Sequence, residues 1–174
     1  GVCSGLGVAP QKIKDVLGVT KAYCTRVGSG PFPTELHTET GEALRKAGSE
    51  FGATTGRPRR CGWLDLVALN FACMVNGVTK LIMTKADVLD TFDPLQVCTA
   101  YRIHGTETKQ VPFQMVRTPI EPVYQTFAGW QTNTSQVKLP ADLPQVMQDY
   151  IAFINQYLGV PIKYVSNGPG REQI

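Results

Sequence analysis

The spacing of apolar positions changes along the chain, and each change predicts an element. From Leu64, apolar residues at 64, 67, 68, 71, 72 and 75 trace the stripe of an amphipathic helix, closed by Asn76-Gly77. Leu143, Val146, Met147, Tyr150, Ile151, Ile154 and Leu158 make a clearer helix, with Asp142 before it, Pro144 suited to its first turn and Gly159 to stop it. Glu39 to Ala47 reads as a third helix ended by Gly48, and Lys12 to Leu17 as a short one entered through Pro10 and stopped by Gly18. The apolar run Val78 to Thr84 (VTKLIMT) predicts a buried strand, and Pro161 to Ser166 (PIKYVS) a final one. Val19 to Arg26, Leu95 to Ile103 and Pro122 to Phe127 also read as extended. The segments GSGPFPTE and 52–62 predict loops, and 104–121 is too polar to predict any element. Helices alternate with short apolar strands, which predicts an α/β fold with parallel pairing.

Composition narrows this picture. With 174 residues, 43% of them apolar and 18% charged, the chain has material for one core. No apolar run is long enough to span a bilayer, and the first residues (GVCSGLGVAPQKIKDV) lack the basic start and long apolar stretch of a signal peptide. Seventeen Lys and Arg against 14 Asp and Glu leave a net charge of +3, which excludes a broadly cationic nucleic-acid binder but allows a local basic cluster. The cysteines (Cys3, Cys24, Cys61, Cys73, Cys98) are odd in number and form no CxxC, and His37 and His104 are the only histidines. That argues against a structural zinc site, and for reduced thiols acting as small buried hydrophobes in a cytosolic protein.

Three clusters could carry chemistry. In Ala53-Thr54-Thr55-Gly56-Arg57-Pro58-Arg59-Arg60, three guanidiniums repel one another unless they meet anions or solvent. With threonine hydroxyls and glycine-exposed N–H groups beside them, they suit a multiply anionic small ligand. Thr84-Lys85-Ala86-Asp87 follows a predicted strand directly, where open α/β sheets place ligands. A carboxylate there can accept from both N1–H and the 2-amino group of guanine, donors that adenine lacks at those places, while a lysine stem lies over the ring. Taken alone, the tetrapeptide reads first as Asp87 capping a short helix (DVLD) with Lys85 in water. Ser166-Asn167-Gly168-Pro169, again after a strand, offers a flat wall with free amides, or an ordinary turn.

Together these clusters resemble the adenylosuccinate synthetase family. The resemblance is carried by EFGATTGRPRRCGWLDL (Glu50 to Leu66), GVTKAYCTRVGSGPFPTEL (Gly18 to Leu36), NGVTKLIMTKADVLD (Asn76 to Asp90) and YIAFINQYLGVPIKYVSNGPGR (Tyr150 to Arg171), in order and over most of the chain. It implies an α/β unit over 1–174 that is the C-terminal part of a larger, mostly parallel-sheet nucleotide-binding fold. It also implies a GTP-dependent ligase joining IMP and L-aspartate. The implied chemistry is phosphorylation of O6 of IMP by GTP, then displacement of that phosphate by the aspartate amine. Thr54, Thr55, Arg57 and Arg59 would receive aspartate from a mobile loop at about 52–60. Arg57 would also reach IMP, and Arg59 the GTP phosphates. Val27 would stand beside the IMP pocket. Lys85, Asp87, Ser166, Gly168 and Pro169 would hold the guanine. Arg60 has no ligand role in this scheme and is left for a structural ion pair.

The family's phosphate loop GDEGKGK does not occur in these residues, and neither does GxxxxGK[ST]. The implied catalytic Asp and His and the Mg²⁺ ligands would therefore lie outside the segment, Gly1 would stand inside a domain, and the segment would be inactive alone. The complete enzyme would be a cytoplasmic homodimer that engages neither nucleic acid nor membrane. Two other readings stay open on the residues: a guanine-nucleotide-binding module without chemistry, and an RNA-binding domain using the RPRR patch.

Overall fold

The computed structural model describes residues 1–174. In chain order its elements are α1 (Val2–Leu6), β1 (Leu17–Lys21), β2 (Cys24–Arg26), α2 (Glu39–Ala47), β3 (Arg60–Gly62), β4 (Leu64–Asp65), α3 (Leu66–Asn76), β5 (Lys80–Thr84), β6 (Leu95–Ile103), β7 (Thr106–Thr108), β8 (Glu121–Phe127), α4 (Gln145–Leu158) and β9 (Ile162–Val165). Short 3-10 turns stand at Pro10–Lys12, Ala86–Leu89 and Pro140–Asp142.

The sheet that matters for the site is β1-β5-β9, parallel throughout, with Leu17 opposite Lys80, Lys21 opposite Thr84 and Met83 opposite Val165. Parallel strands end on the same edge, so three carboxyl ends meet there. In β5, Leu81 and Met83 are buried on one face, the period-2 alternation that the apolar run predicts. A second sheet is built on β6, which pairs antiparallel with β8 and β7 and parallel with β4. The fold is thus mixed α/β with a parallel principal sheet, as the alternation of elements predicts.

Helix boundaries follow local chemistry. Asp65 caps α3 by accepting from Ala68 N–H at 3.0 Å, and its other oxygen accepts the buried Tyr101 hydroxyl at 2.5 Å. Met147, Tyr150, Ile154 and Leu158 form the buried face of α4. That face joins a core with Trp63, Leu81, Met83, Leu95 and Trp130, and burying each large side chain contributes about 1.5–3 kcal/mol. Gly159 ends α4 in the left-handed conformation, φ 65°, with nothing near the place a Cβ would occupy. Gly159→Ala therefore meets only backbone strain and is expected to cost about 1 kcal/mol, read as a lowered thermal midpoint.

Three expectations are corrected. Lys12 to Leu17 is not a helix: one 3-10 turn spans Pro10–Lys12, and Leu17 already belongs to β1. Pairing wins over local pattern here, since Val16 bonds Thr79 through both its N–H and its carbonyl and leads the chain into register with β5. The loop at 52–62 ends early, because Arg60–Gly62 pairs with Cys24–Arg26. Within 104–121, β7 folds back on β6 through His104-Gly105, both at positive φ, in a two-residue turn. All five thiols are free; Cys61, Cys73 and Cys98 are buried, whereas Cys3 and Cys24 are only partly so.

Candidate functional site

The three strand ends are stitched together beyond the sheet. Ala22 N–H donates to Thr84 O, Ser166 N–H to Met83 O and Ala86 N–H to Ser166 O, at 2.9, 2.7 and 3.1 Å. Two of the predicted ligand segments, Thr84–Asp87 and Ser166–Pro169, therefore start side by side. Lys85 turns the chain with a left-handed backbone, φ 59°.

Beneath them lies Glu50, whose side chain is wholly buried. One oxygen accepts from Lys21 Nζ (2.7 Å), the Tyr23 hydroxyl (2.5 Å) and Lys85 Nζ (3.0 Å), and the other from Arg59 Nη1 (2.7 Å). Lys85 Nζ also donates to Gly48 O at 2.6 Å. Burial by itself would raise the Glu50 pKa, but the four donors outweigh it and hold the carboxyl down at about 2. Burial and the same carboxylate push the Tyr23 phenol up. Three cations on one anion leave this cluster positive, with Arg59 and Lys85 both partly open to solvent.

Arg59 stands at the base of the arginine-rich loop. Its N–H donates to Glu50 O, Phe51 bridges Pro58, and Gly52 N–H reaches Arg57 O, so the base of the loop is a narrow, tied neck. At the tip Thr54, Thr55 and Arg57 are exposed, and the Arg57 guanidinium has no partner in the chain. Arg60 points elsewhere. It forms a two-pronged ion pair with Glu35, lies over the Phe32 ring and donates to the carbonyls of Gly28 and Gly30. Its hydrogen bonds hold the Glu35 carboxyl below the ordinary range. This is the structural ion pair that its lack of a ligand role predicts, and it fixes the turn following Val27, a side chain that is 70% exposed.

Asp87 is half-buried and opens on a polar cleft of about 360 Å³ that it shares with Asp90, Gln131, Asn133 and Ser135. No side chain hydrogen-bonds its carboxylate, and burial raises its pKa. Asp87 lies inside the 3-10 turn Ala86–Leu89, whose cap position is Lys85, so it is a first-turn residue and not the cap. Asp90, by contrast, is committed to Trp130 Nε1 and to Thr134. Ser166 donates to Gly168 O at 3.0 Å, and Asn167 Nδ2 holds the carbonyls of Thr134 and Val137. Gln173 then bridges Gly170 N–H and Ser135 O, closing the Gly168-Pro169 segment against the wall that lines the Asp87 cleft.

The structure therefore draws Arg59 and Lys85 onto one carboxylate, sets Ser166 beside the Lys85 turn, and leaves Thr54, Thr55 and Arg57 outward on the loop. Sequence reasoning passed over Lys21, Tyr23 and Glu50. The available signal was Glu50 itself, an acid set directly beside an arginine-rich loop. No group of three His, Cys, Asp or Glu side chains comes together to hold a metal ion.

A family model described as adenylosuccinate synthetase matches residues 1–174. Curated relatives of that name include those of Salinibacter ruber, 58% identical over 100% of this chain and 40% of its own length, and Azobacteroides pseudotrichonymphae, 56% identical over 98% and 41%. The solved structure of fully ligated adenylosuccinate synthetase from Plasmodium falciparum superposes with a TM-score of 0.92, at 38% identity, covering 99% of this chain and 42% of that one. The chain spans about 40% of the length of the curated relatives it matches.

Proposed function

Because the chain belongs to the adenylosuccinate synthetase family, we propose that it carries the guanine site and the aspartate/IMP loop of a ligase that makes adenylosuccinate from IMP, L-aspartate and GTP in purine biosynthesis. The observation that supports this best is the pairing of a carboxylate without a side-chain partner, Asp87, with a cationic cluster tied to the arginine-rich loop, both at the carboxyl edge of a parallel sheet. Asp87 accepts from the guanine N1–H and 2-amino groups. The Lys85 stem and the Ser166-Asn167-Gly168-Pro169 segment flank the ring. Thr54, Thr55 and Arg57 meet the aspartate carboxylates, Val27 faces IMP, and Arg59 turns its remaining N–H groups to phosphate.

Negative charge accumulates in both steps, as the phosphoryl group passes to O6 of IMP and as the amine expels it. Fixed guanidiniums stabilise that charge, and one well-placed donor is worth about 3–4 kcal/mol of barrier. The residues here form no Mg²⁺ cradle, and no step is routed through the ion. In this reading the complete enzyme supplies the phosphate loop, the general base and the Mg²⁺ ligands. It acts as a cytoplasmic homodimer and engages neither nucleic acid nor membrane; no helix of this chain is long and apolar enough to cross a bilayer.

Calorimetric titration of the chain with GDP and with ADP tests the reading: GDP binds and ADP does not compete. Equal affinity for both would overturn it. Phosphate release from GTP with IMP, aspartate and Mg²⁺ is expected to stay at the blank with this chain alone, and measurable turnover would refute its inactivity.

A further inference from the structure

The Glu50 cluster does something that the site as described does not require. Lys85 and Asp87 lie two residues apart around a tight left-handed turn, and an ammonium so placed could pair with that carboxylate. It does not: Lys85 Nζ is drawn the other way, onto Glu50 Oε1 at 3.0 Å and Gly48 O at 2.6 Å. Glu50 is wholly buried and cannot follow the lysine outward. The Asp87 carboxylate forms no ion pair and takes no hydrogen bond from another side chain, and the residue lines the polar cleft. Arg59 is held by the other oxygen of Glu50 through Nη1 alone, which leaves its remaining guanidinium N–H groups without a partner in the chain.

We propose that Glu50 is a positioning residue for guanine selectivity: it parks the Lys85 ammonium away from Asp87, so that the base, and not the lysine, pairs with that carboxylate. The inference rests on the assignment of Asp87 to guanine made above. It separates cleanly from a charge effect. Removing the negative charge of Glu50 makes the site more cationic, so electrostatics alone would tighten nucleotide binding without altering base choice. Positioning demands the opposite, a loss of base choice.

The experiment measures the affinities of GDP and IDP, which differ only in the 2-amino group, for this chain and three variants. Wild type prefers GDP. In Glu50→Gln the freed ammonium swings to Asp87, and the GDP/IDP preference falls by about tenfold or more. Lys85→Met keeps the stem but has no ammonium to park, and its GDP/IDP ratio is the reference for the double variant. Adding Lys85→Met to Glu50→Gln returns the ratio to that of Lys85→Met alone, which a merely structural role for Glu50 would not allow. An unchanged ratio in Glu50→Gln, or a double variant whose ratio stays apart from that of Lys85→Met alone, overturns the proposal.

A crystal structure of Glu50→Gln provides a readout without nucleotide: Lys85 Nζ is expected on the Asp87 carboxylate, and Nζ remaining on Gly48 O overturns the proposal. Should wild type not distinguish GDP from IDP, the guanine assignment fails, and the crystal structure alone decides whether Glu50 parks the ammonium. If Glu50→Gln does not fold, Glu50→Asp, which withdraws the acceptor by one methylene, is read in the same two ways.

Discussion

Replacing Asp87 by asparagine is expected to weaken GTP binding by about thirty- to a thousandfold and to leave xanthosine triphosphate binding intact. The carboxylate is isosteric with the amide, so the cleft keeps its shape. One acceptor becomes a donor, however, and it faces a guanine N–H that then has no partner. Losing a hydrogen bond to a charged group in a half-buried site costs about 2–4 kcal/mol, which sets the range. Xanthine carries a carbonyl where guanine carries its amino group, so the new donor pairs with it. Asp87 has no side-chain partner in the chain, and the substitution therefore breaks no internal side-chain bond that could mimic the effect. Calorimetry with both nucleotides on wild type and Asp87→Asn decides it. An equal loss for the two would mean that Asp87 shapes the turn and does not read the base.

Acid is expected to remove about 3 kcal/mol of folding stability through Glu50 alone. Its carboxyl titrates at about 2 in the folded chain against an ordinary 4.5. A depressed acid stabilises the fold at every pH above its unfolded value, and the contribution fades as pH falls through the folded one. The window is therefore about pH 4.5 down to 2, with stability decreasing toward acid. Glu50→Gln has no such group, so the difference between the two proteins is full at pH 7 and gone near pH 2. Urea midpoints across that range measure it; a difference independent of pH would place the stabilisation in shape rather than charge.

What could be read from the sequence, and what could not, follows the reach of each interaction. The helix α4 and the strands β5, β6 and β9 announce themselves, because burial imposes a pattern on segments such as Leu143–Leu158 and Val78–Thr84; α3 forms where its stripe predicts but buries another face, with Leu66, Val67 and Cys73 inside and Ala68, Phe71, Ala72 and Val75 exposed. The strands β3 and β7 do not. Arg60-Cys61-Gly62 and Thr106-Glu107-Thr108 are extended because a partner strand lies alongside, and three residues, whether mostly buried as in β3 or mostly exposed as in β7, are too few to leave a periodic trace. His104-Gly105 was the one local sign of the second hairpin. Leu17 misled in the other direction, since it fits a helix stripe as well as a strand until Lys80 is placed opposite it.

The candidate site divides in the same way. The arginine-rich loop, Lys85-Ala86-Asp87 and the Ser166–Pro169 segment stand out as residue types in unusual company. Lys21, Tyr23 and Glu50 are ordinary residues in ordinary segments, and they gain their role only when Glu50 arrives beneath the strand ends at hydrogen-bonding distance of both lysines. Arg59 and Arg60 are indistinguishable in sequence, yet one faces Glu50 and the other Glu35, because adjacent residues of an extended chain point to opposite sides.

The order of strands in the parallel sheet also sets a timetable. Strand β5 lies between the first strand of the sheet to be synthesised and the last, and each pairing closes a long stretch of chain: Leu17 waits for Lys80, and Leu81 waits for Ile162. Such non-local pairings slow folding relative to helical bundles, because the entropy of closing each loop is lost before its contacts form. Asp87 and the arginine-rich loop are both made well before Ser166 emerges. Until β9 docks, Ala86 N–H lacks its acceptor and the turn at Lys85 is held only from the side of Ala22, Gly48 and Glu50. A nascent chain thus carries Asp87 and the arginine-rich loop early, but the wall that the Ser166–Pro169 segment sets beside them is completed only once β9 has been made and docked.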